Sequence, residues 1–245
     1  MTDLLVIVAA LSVGAFVKGV SGTGLPQVAI PVMAAFLGVE RAVIIMSIPG
    51  IAANVWLVVA HRAARRESRD VPVLLGTGIA GAVLGTVLLT TVDARFLSAV
   101  LAVIILVYVG LRVAAPNLSL PPSVTSWVSP PVGFAAGALQ GATGVSGPLL
   151  STYLHAFALS PGAYIFSLSS LFLVFSATQV VTLVGLGAYT TRLVLEGFLA
   201  LVPVAVMLPL GSRLGRRLGE RTFSTVVMVG LAVAAAVLLA QALGG

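Results

Sequence analysis

Apolar stretches follow one another along this chain with only short polar interruptions, and that pattern limits its fold more than any other feature. Ten stretches can be drawn. They lie at 4–20, 25–37, 41–60, 71–91 and 95–113 in the first half, and at 128–142, 147–159, 162–186, 190–211 and 222–243 in the second. A helix needs about 20 residues to cross the hydrocarbon core of a bilayer. The third to fifth stretches of each half reach that length; the first two are shorter and read as a broken or re-entrant pair. Only 8% of the 245 residues are charged, against about 25% in an ordinary soluble domain. That is too few to coat a water-exposed globule and too few for a disordered chain. The expected fold is all-α, a polytopic protein embedded in a lipid bilayer.

The net charge is +6, a balance that a nucleic-acid partner would suit. The placement of the charges argues otherwise. Basic residues cluster in short loops between apolar stretches, as the positive-inside rule requires, so no nucleic acid is expected. Arg62, Arg65, Arg66 and Arg69 follow the third stretch of the first half, and Arg213, Arg216, Arg217 and Arg221 follow the fourth of the second. Both loops are assigned to the cytoplasm, together with Arg112 and a Pro-rich linker. Arg41, Arg95 and Arg192 then lie outside, and both termini are extracytoplasmic. Trp56 and Trp127 fall at the cytoplasmic interface, where tryptophan is favoured. The chain has no cysteine and two histidines, which removes disulfides and thiolate chemistry and argues against a His-built metal site. No cofactor is expected. The start, MTDLLVIVAA, has an acid and no basic n-region, so it reads as the first membrane segment rather than a signal peptide.

Each short pair of stretches is divided by a glycine-rich break. The first reads Lys18-Gly19-Val20-Ser21-Gly22-Thr23-Gly24-Leu25-Pro26, the second Gln140-Gly141-Ala142-Thr143-Gly144-Val145-Ser146-Gly147-Pro148. Laid on one another, they place Gly19 on Gly141, Ser21 on Thr143, Gly22 on Gly144 and Pro26 on Pro148. A second anchor late in each half sets Gly85 on Gly211, Thr86 on Ser212, Arg95 on Arg221 and Ser98 on Ser224. Two collinear anchors indicate an internal duplication: repeat 1 at 1–113, a cytoplasmic linker at 114–127, and repeat 2 at 128–245. Each half has an odd number of crossings, so the repeats must be inverted, and the basic loops agree.

Paired breaks in inverted repeats point to a transporter's binding site. Pro26 and Pro148 suit the first turn of the half-helices that follow, whose free N–H groups and positive dipole ends favour an anion. The candidate binding residues are Lys18, Ser21, Gly22, Thr23, Gly24, Gln140, Thr143, Gly144, Val145 and Ser146. Asn54 and Gln179 stand in the third stretches beside the breaks. A lysine at membrane depth costs roughly 2.5–3.5 kcal/mol on insertion scales, and a bound anion would compensate it. His155, which titrates near neutrality, and Glu196 are candidates for a coupling proton, although Glu196 also has the spacing of an ion pair with Arg192. Gly81 and Gly85 form a GxxxG pair suited to tight helix packing. The sequence carries no Walker A, HExxH or GxSxG motif.

The segments KGVSGTGLPQVAIP and GALQGATGVSGPLL, with the length and segment order, resemble the TauE/SafE sulfite-exporter family, also called the toluene-sulfonate uptake permease family. The resemblance covers nearly the whole chain. It implies transport of small sulfur-containing anions, such as sulfite, sulfoacetate and other organosulfonates, across the bacterial inner membrane. The matching binding positions are Lys18, Ser21 to Gly24 and Gln140 to Ser146. The reading is a secondary transporter and not an enzyme, working by alternating access and coupled to protons, with a homodimer compatible. The alternatives are a passive anion channel and an intramembrane enzyme acting on a lipid phosphate.

Overall fold

The fold was taken from a computed structural model, which describes residues 2–21, 24–68, 71–114, 122–155, 157, 159–214, 232 and 235–240. Among these residues the regular elements are all helical. The first half holds α1 (Thr2–Ser21), α2 (Leu25–Leu37), α3 (Val39–Ala60), α4 (Val71–Thr91) and α5 (Ala94–Ala114), with a 3-10 turn at Arg62–Glu67. The second holds α6 (Pro122–Thr143), α7 (Gly147–His155), α8 (Pro161–Gly185), α9 (Thr191–Leu199) and α10 (Leu201–Leu214). Five segments are long and apolar enough to cross a membrane: Thr2–Val20, Val39–Ala60, Val71–Thr91, Pro161–Gly185 and Thr191–Leu214. Large apolar side chains such as Phe36 and Val181, each 72% exposed, cover the outside, where lipid is the matching solvent.

Three expectations need correcting. The first stretch of each half is not short: α1 has 20 residues and α6 has 22. Asp3 lies inside the helix it was expected to precede, and the polar start of α6 is helical from Pro122, whose missing N–H is harmless in a first turn. The last residues of the expected linker are therefore part of α6. Only α2, with 13 residues, and α7, with 9, are short. Third, the stretch at 190–211 is two helices. Pro203 has no N–H for the Leu199 carbonyl one turn back, and α9 ends at Leu199. Of the last stretch, residues 235–240 are helical, and the rest lies largely outside the described residues.

Direction follows from contacts. Ser47, early in α3, shares a 2.6 Å hydrogen bond with Tyr189, beyond the end of α8. Ser68, beyond α3, accepts from Ser167, early in α8, at 3.1 Å. So α3 and α8 run antiparallel. In contrast α4 and α6 run parallel and very close: Gly133 meets Leu74, Gly137 meets Gly78, and Gly141 meets Ala82. A Cβ on any of these glycines would strike an opposing side chain or carbonyl. The first helix α1 packs as closely on α10, where Gly19 meets Leu208 and Ser212 and Gly211 meets Phe16; the Ser212 hydroxyl donates to the Gly19 carbonyl at 3.1 Å. Two apolar cores result. One gathers α1, α2, α3, α5 and α10, and the other gathers α4, α6, α7 and α8. Each core thus takes helices from both halves.

Candidate functional site

Helix α1 ends at Ser21, and α2 resumes at Leu25 after Gly24, whose φ of 106° is open to glycine but strained for other residues. Helix α6 ends at Thr143 and is followed by Gly144 at φ 70°. Each reversal frees a helix end in the interior, where its polar groups need partners. Gln179 supplies them at the end of α6: its amide donates to the carbonyls of Gln140 and Gly141, both at 2.9 Å. Thr143 serves the same end, donating to the Leu139 carbonyl at 2.8 Å and accepting from the Val145 N–H at 3.3 Å.

Between the breaks lies a small cavity. Lys18 in the last turn of α1, Asn54 in α3, Gln140 and Gly144 at the second break, and Gln179 in α8 all line it. Lys18 is 1% exposed. Its ammonium donates to Asn54 Oδ1 at 2.7 Å and stands 5.2 Å from the centroid of the Phe172 ring, within cation–π range. Among the described residues Lys18 forms no ion pair, and the cavity lining has no carboxylate. Across the cavity Gln140 Nε2 reaches Ser176 Oγ at 3.5 Å, and its Oε1 accepts from Ser146 Oγ at 2.8 Å.

The sequence-derived candidates thus separate. Lys18, Asn54, Gln140, Gly144 and Gln179 meet at the cavity. Thr143, Val145 and Ser146 are buried next to it but turned to local bonds and packing. Gly24 shapes the first break from behind, packed on Val17. Gly22 and Thr23 lie outside the described residues, as do the side chains of Ser21 and His155. Glu196 is placed elsewhere. It bonds Arg41 at 2.6 Å and Arg192 at 2.9 Å, while Asp3 joins Arg41 at 2.8 Å, so the starts of α1, α3 and α9 are tied together. The spacing to Arg192 anticipated half of this cluster. Sequence reasoning missed Phe172 and Ser176. Ser176 had a signal, since laying the breaks on one another sets it on Asn54; an aromatic in an apolar run had none.

Long apolar helices, two broken pairs and a buried cation in the cavity between them define a polytopic membrane protein of the transport class. A family model described as the sulfite exporter TauE/SafE matches residues 6–238, and the chain belongs to that family. No curated protein and no solved structure matches it.

Proposed function

We propose that the chain is a secondary transporter that exports a small sulfur-containing oxyanion, such as sulfite, sulfoacetate or another organosulfonate, by alternating access. The observation that carries this reading is Lys18: a buried ammonium, held by Asn54 and faced by no acid among the described residues, at the junction of the two breaks. A buried charge needs a partner, and an anionic substrate provides it. The α2 start contributes a positive dipole end through Leu25 and Pro26, which line the same cavity.

The inverted repeat is supported by the packing. The glycines that align in sequence are also those in contact: Gly19 packs on α10 at Gly211 and Ser212, as Gly141 packs on α4 at Gly85 and Thr86. The antiparallel pair α3 and α8 occupies matching places in the two halves. A cavity between inverted halves suits rocking of one against the other. The proposed membrane is the bacterial inner membrane, with the Arg62–Glu67 turn in the cytoplasm. Arg62, Arg65 and Arg66 crowd that turn, whereas Arg41 and Arg192 at the opposite end are neutralised by Asp3 and Glu196. The 245 residues carry no Walker A loop, and a proton gradient is the proposed energy source.

Proteoliposomes test the reading. The wild-type protein should move sulfite, faster when a pH gradient is imposed, and Lys18→Ala should lose most of this flux while still assembling. Undiminished flux from an assembled Lys18→Ala variant refutes the site.

A further inference from the structure

The two sides of the cavity are matched in position and unmatched in charge. Laying one break on the other sets Lys18 on Gln140 and Asn54 on Ser176, and both pairs line one cavity. The first pair presents an ammonium, bonded to Asn54 at 2.7 Å. The second presents a neutral amide, whose Nε2 lies 3.5 Å from Ser176 Oγ, at the limit of a hydrogen bond. The Gln140 amide has a fixed orientation. Its Oε1 accepts from Ser146 Oγ at 2.8 Å, so Nε2 is the end turned to Ser176, with donor capacity to spare. The neighbouring Gln179 amide has none spare, because it donates to two carbonyls at 2.9 Å.

We infer that the site selects a singly charged oxyanion over a doubly charged one, because Lys18 supplies one cation while its counterpart position, Gln140, is neutral. The inference rests on the anion-binding reading above and narrows its substrate class to monoanions, such as a sulfonate or hydrogen sulfite. Lys18 is the sole cation among the described residues that line the cavity. A monoanion there is neutralised one for one, and its remaining oxygens accept from the Gln140 amide. A dianion leaves one negative charge without a partner. Leu25, Ile30, Val43, Met46 and Phe172 form the apolar part of the lining, so water does little to screen that charge, and an unpartnered buried charge is strongly unfavourable.

The test is equilibrium binding of methanesulfonate and sulfate to the purified full chain at equal ionic strength. Both probes keep their charge across neutral pH. Wild-type protein should bind methanesulfonate at least about tenfold more tightly. Gln140→Lys, which adds a second cation to the lining, should reverse the order. Gln140→Leu should weaken methanesulfonate a few-fold and keep the order, because the charge count is unchanged. Sulfate binding to wild type as tightly as methanesulfonate overturns the inference, and so does a folded Gln140→Lys variant that still prefers methanesulfonate. The wild-type comparison decides alone if that variant does not fold. A folded wild-type protein that binds neither anion overturns the anion-binding reading itself, and this inference with it.

Discussion

Lys18 concentrates the electrostatic cost of the molecule in one side chain. Its stem is fully enclosed, and among the described residues its head meets the Asn54 amide oxygen and the Phe172 ring face. Replacing a buried charge by an apolar side chain of similar volume is often neutral or stabilising, because the desolvation penalty goes with the charge. Lys18→Met should therefore separate stability from function. Anion binding should fall by at least about tenfold, while the midpoint of thermal unfolding in detergent, without substrate, stays level or rises. A sharp fall in that midpoint would show that Lys18 holds the fold together rather than the substrate. At this scale the sequence was informative wherever polarity was expensive. A lysine and a glutamine at membrane depth, next to glycines, declared themselves. The hydroxyls did not divide so clearly. Thr143 and Ser146 had the chemistry of ligands, but a helix that stops in the interior leaves a carbonyl that claims Thr143, and Ser146 is taken up by the Gln140 side chain. Only three-dimensional packing distinguishes a hydroxyl aimed at a cavity from one that closes a helix end.

Between helices the decisive quantity is backbone separation. Lipid tails are as apolar as leucine, so association inside a bilayer depends on close packing and not on burial from water. Gly137 on α6 faces the Gly78 backbone, and its missing Cβ is what lets α4 and α6 touch. By contrast, Gly76 on α4 faces open space. Gly137→Ala should lower the unfolding midpoint and the folded yield in size-exclusion profiles, whereas Gly76→Ala should leave both unchanged or raise them, as alanine favours a helix by about 1 kcal/mol over glycine. Equal effects at both sites would mean that helix propensity, not the contact, governs this pair. The Gly81 and Gly85 spacing announced a close contact, and α6 proved to be the partner, with Gly85 against Ala138. The partner itself was not legible, because a GxxxG face shows how close a neighbour comes and not which neighbour it is. Element ends misled for a related reason. The apolar stretches stop at Asp3 and at the polar start of α6, but backbone hydrogen bonding does not, and the helix continues through them.

The whole molecule is organised by exchange. The first helix of each half packs on the fourth segment of the other, α1 on α10 and α6 on α4, so neither half forms a core alone. The glycines that the sequence sets on one another share a packing role: Gly19 meets Gly211 as Gly141 meets Gly85. Direction in the membrane then follows from charge. The Arg62–Glu67 turn carries three arginines with no ion pair among the described residues, whereas the other end is tied by the Asp3, Arg41, Arg192 and Glu196 cluster. Unpaired basic residues resist translocation, which supports the proposal that the turn lies inside and the link between α8 and α9 outside. The absence of native cysteine makes this directly measurable with single-cysteine variants. Ala63→Cys, exposed on the 3-10 turn, and Leu186→Cys, exposed just past α8, lie at opposite ends because α3 and α8 are antiparallel. A membrane-impermeant maleimide applied to intact cells should label Leu186→Cys and spare Ala63→Cys, and permeabilisation should expose both. Labelling of both sites in intact cells would contradict the antiparallel arrangement of α3 and α8 and, with it, the proposed inversion of the halves. The reverse pattern would keep that arrangement and turn the protein over in the membrane.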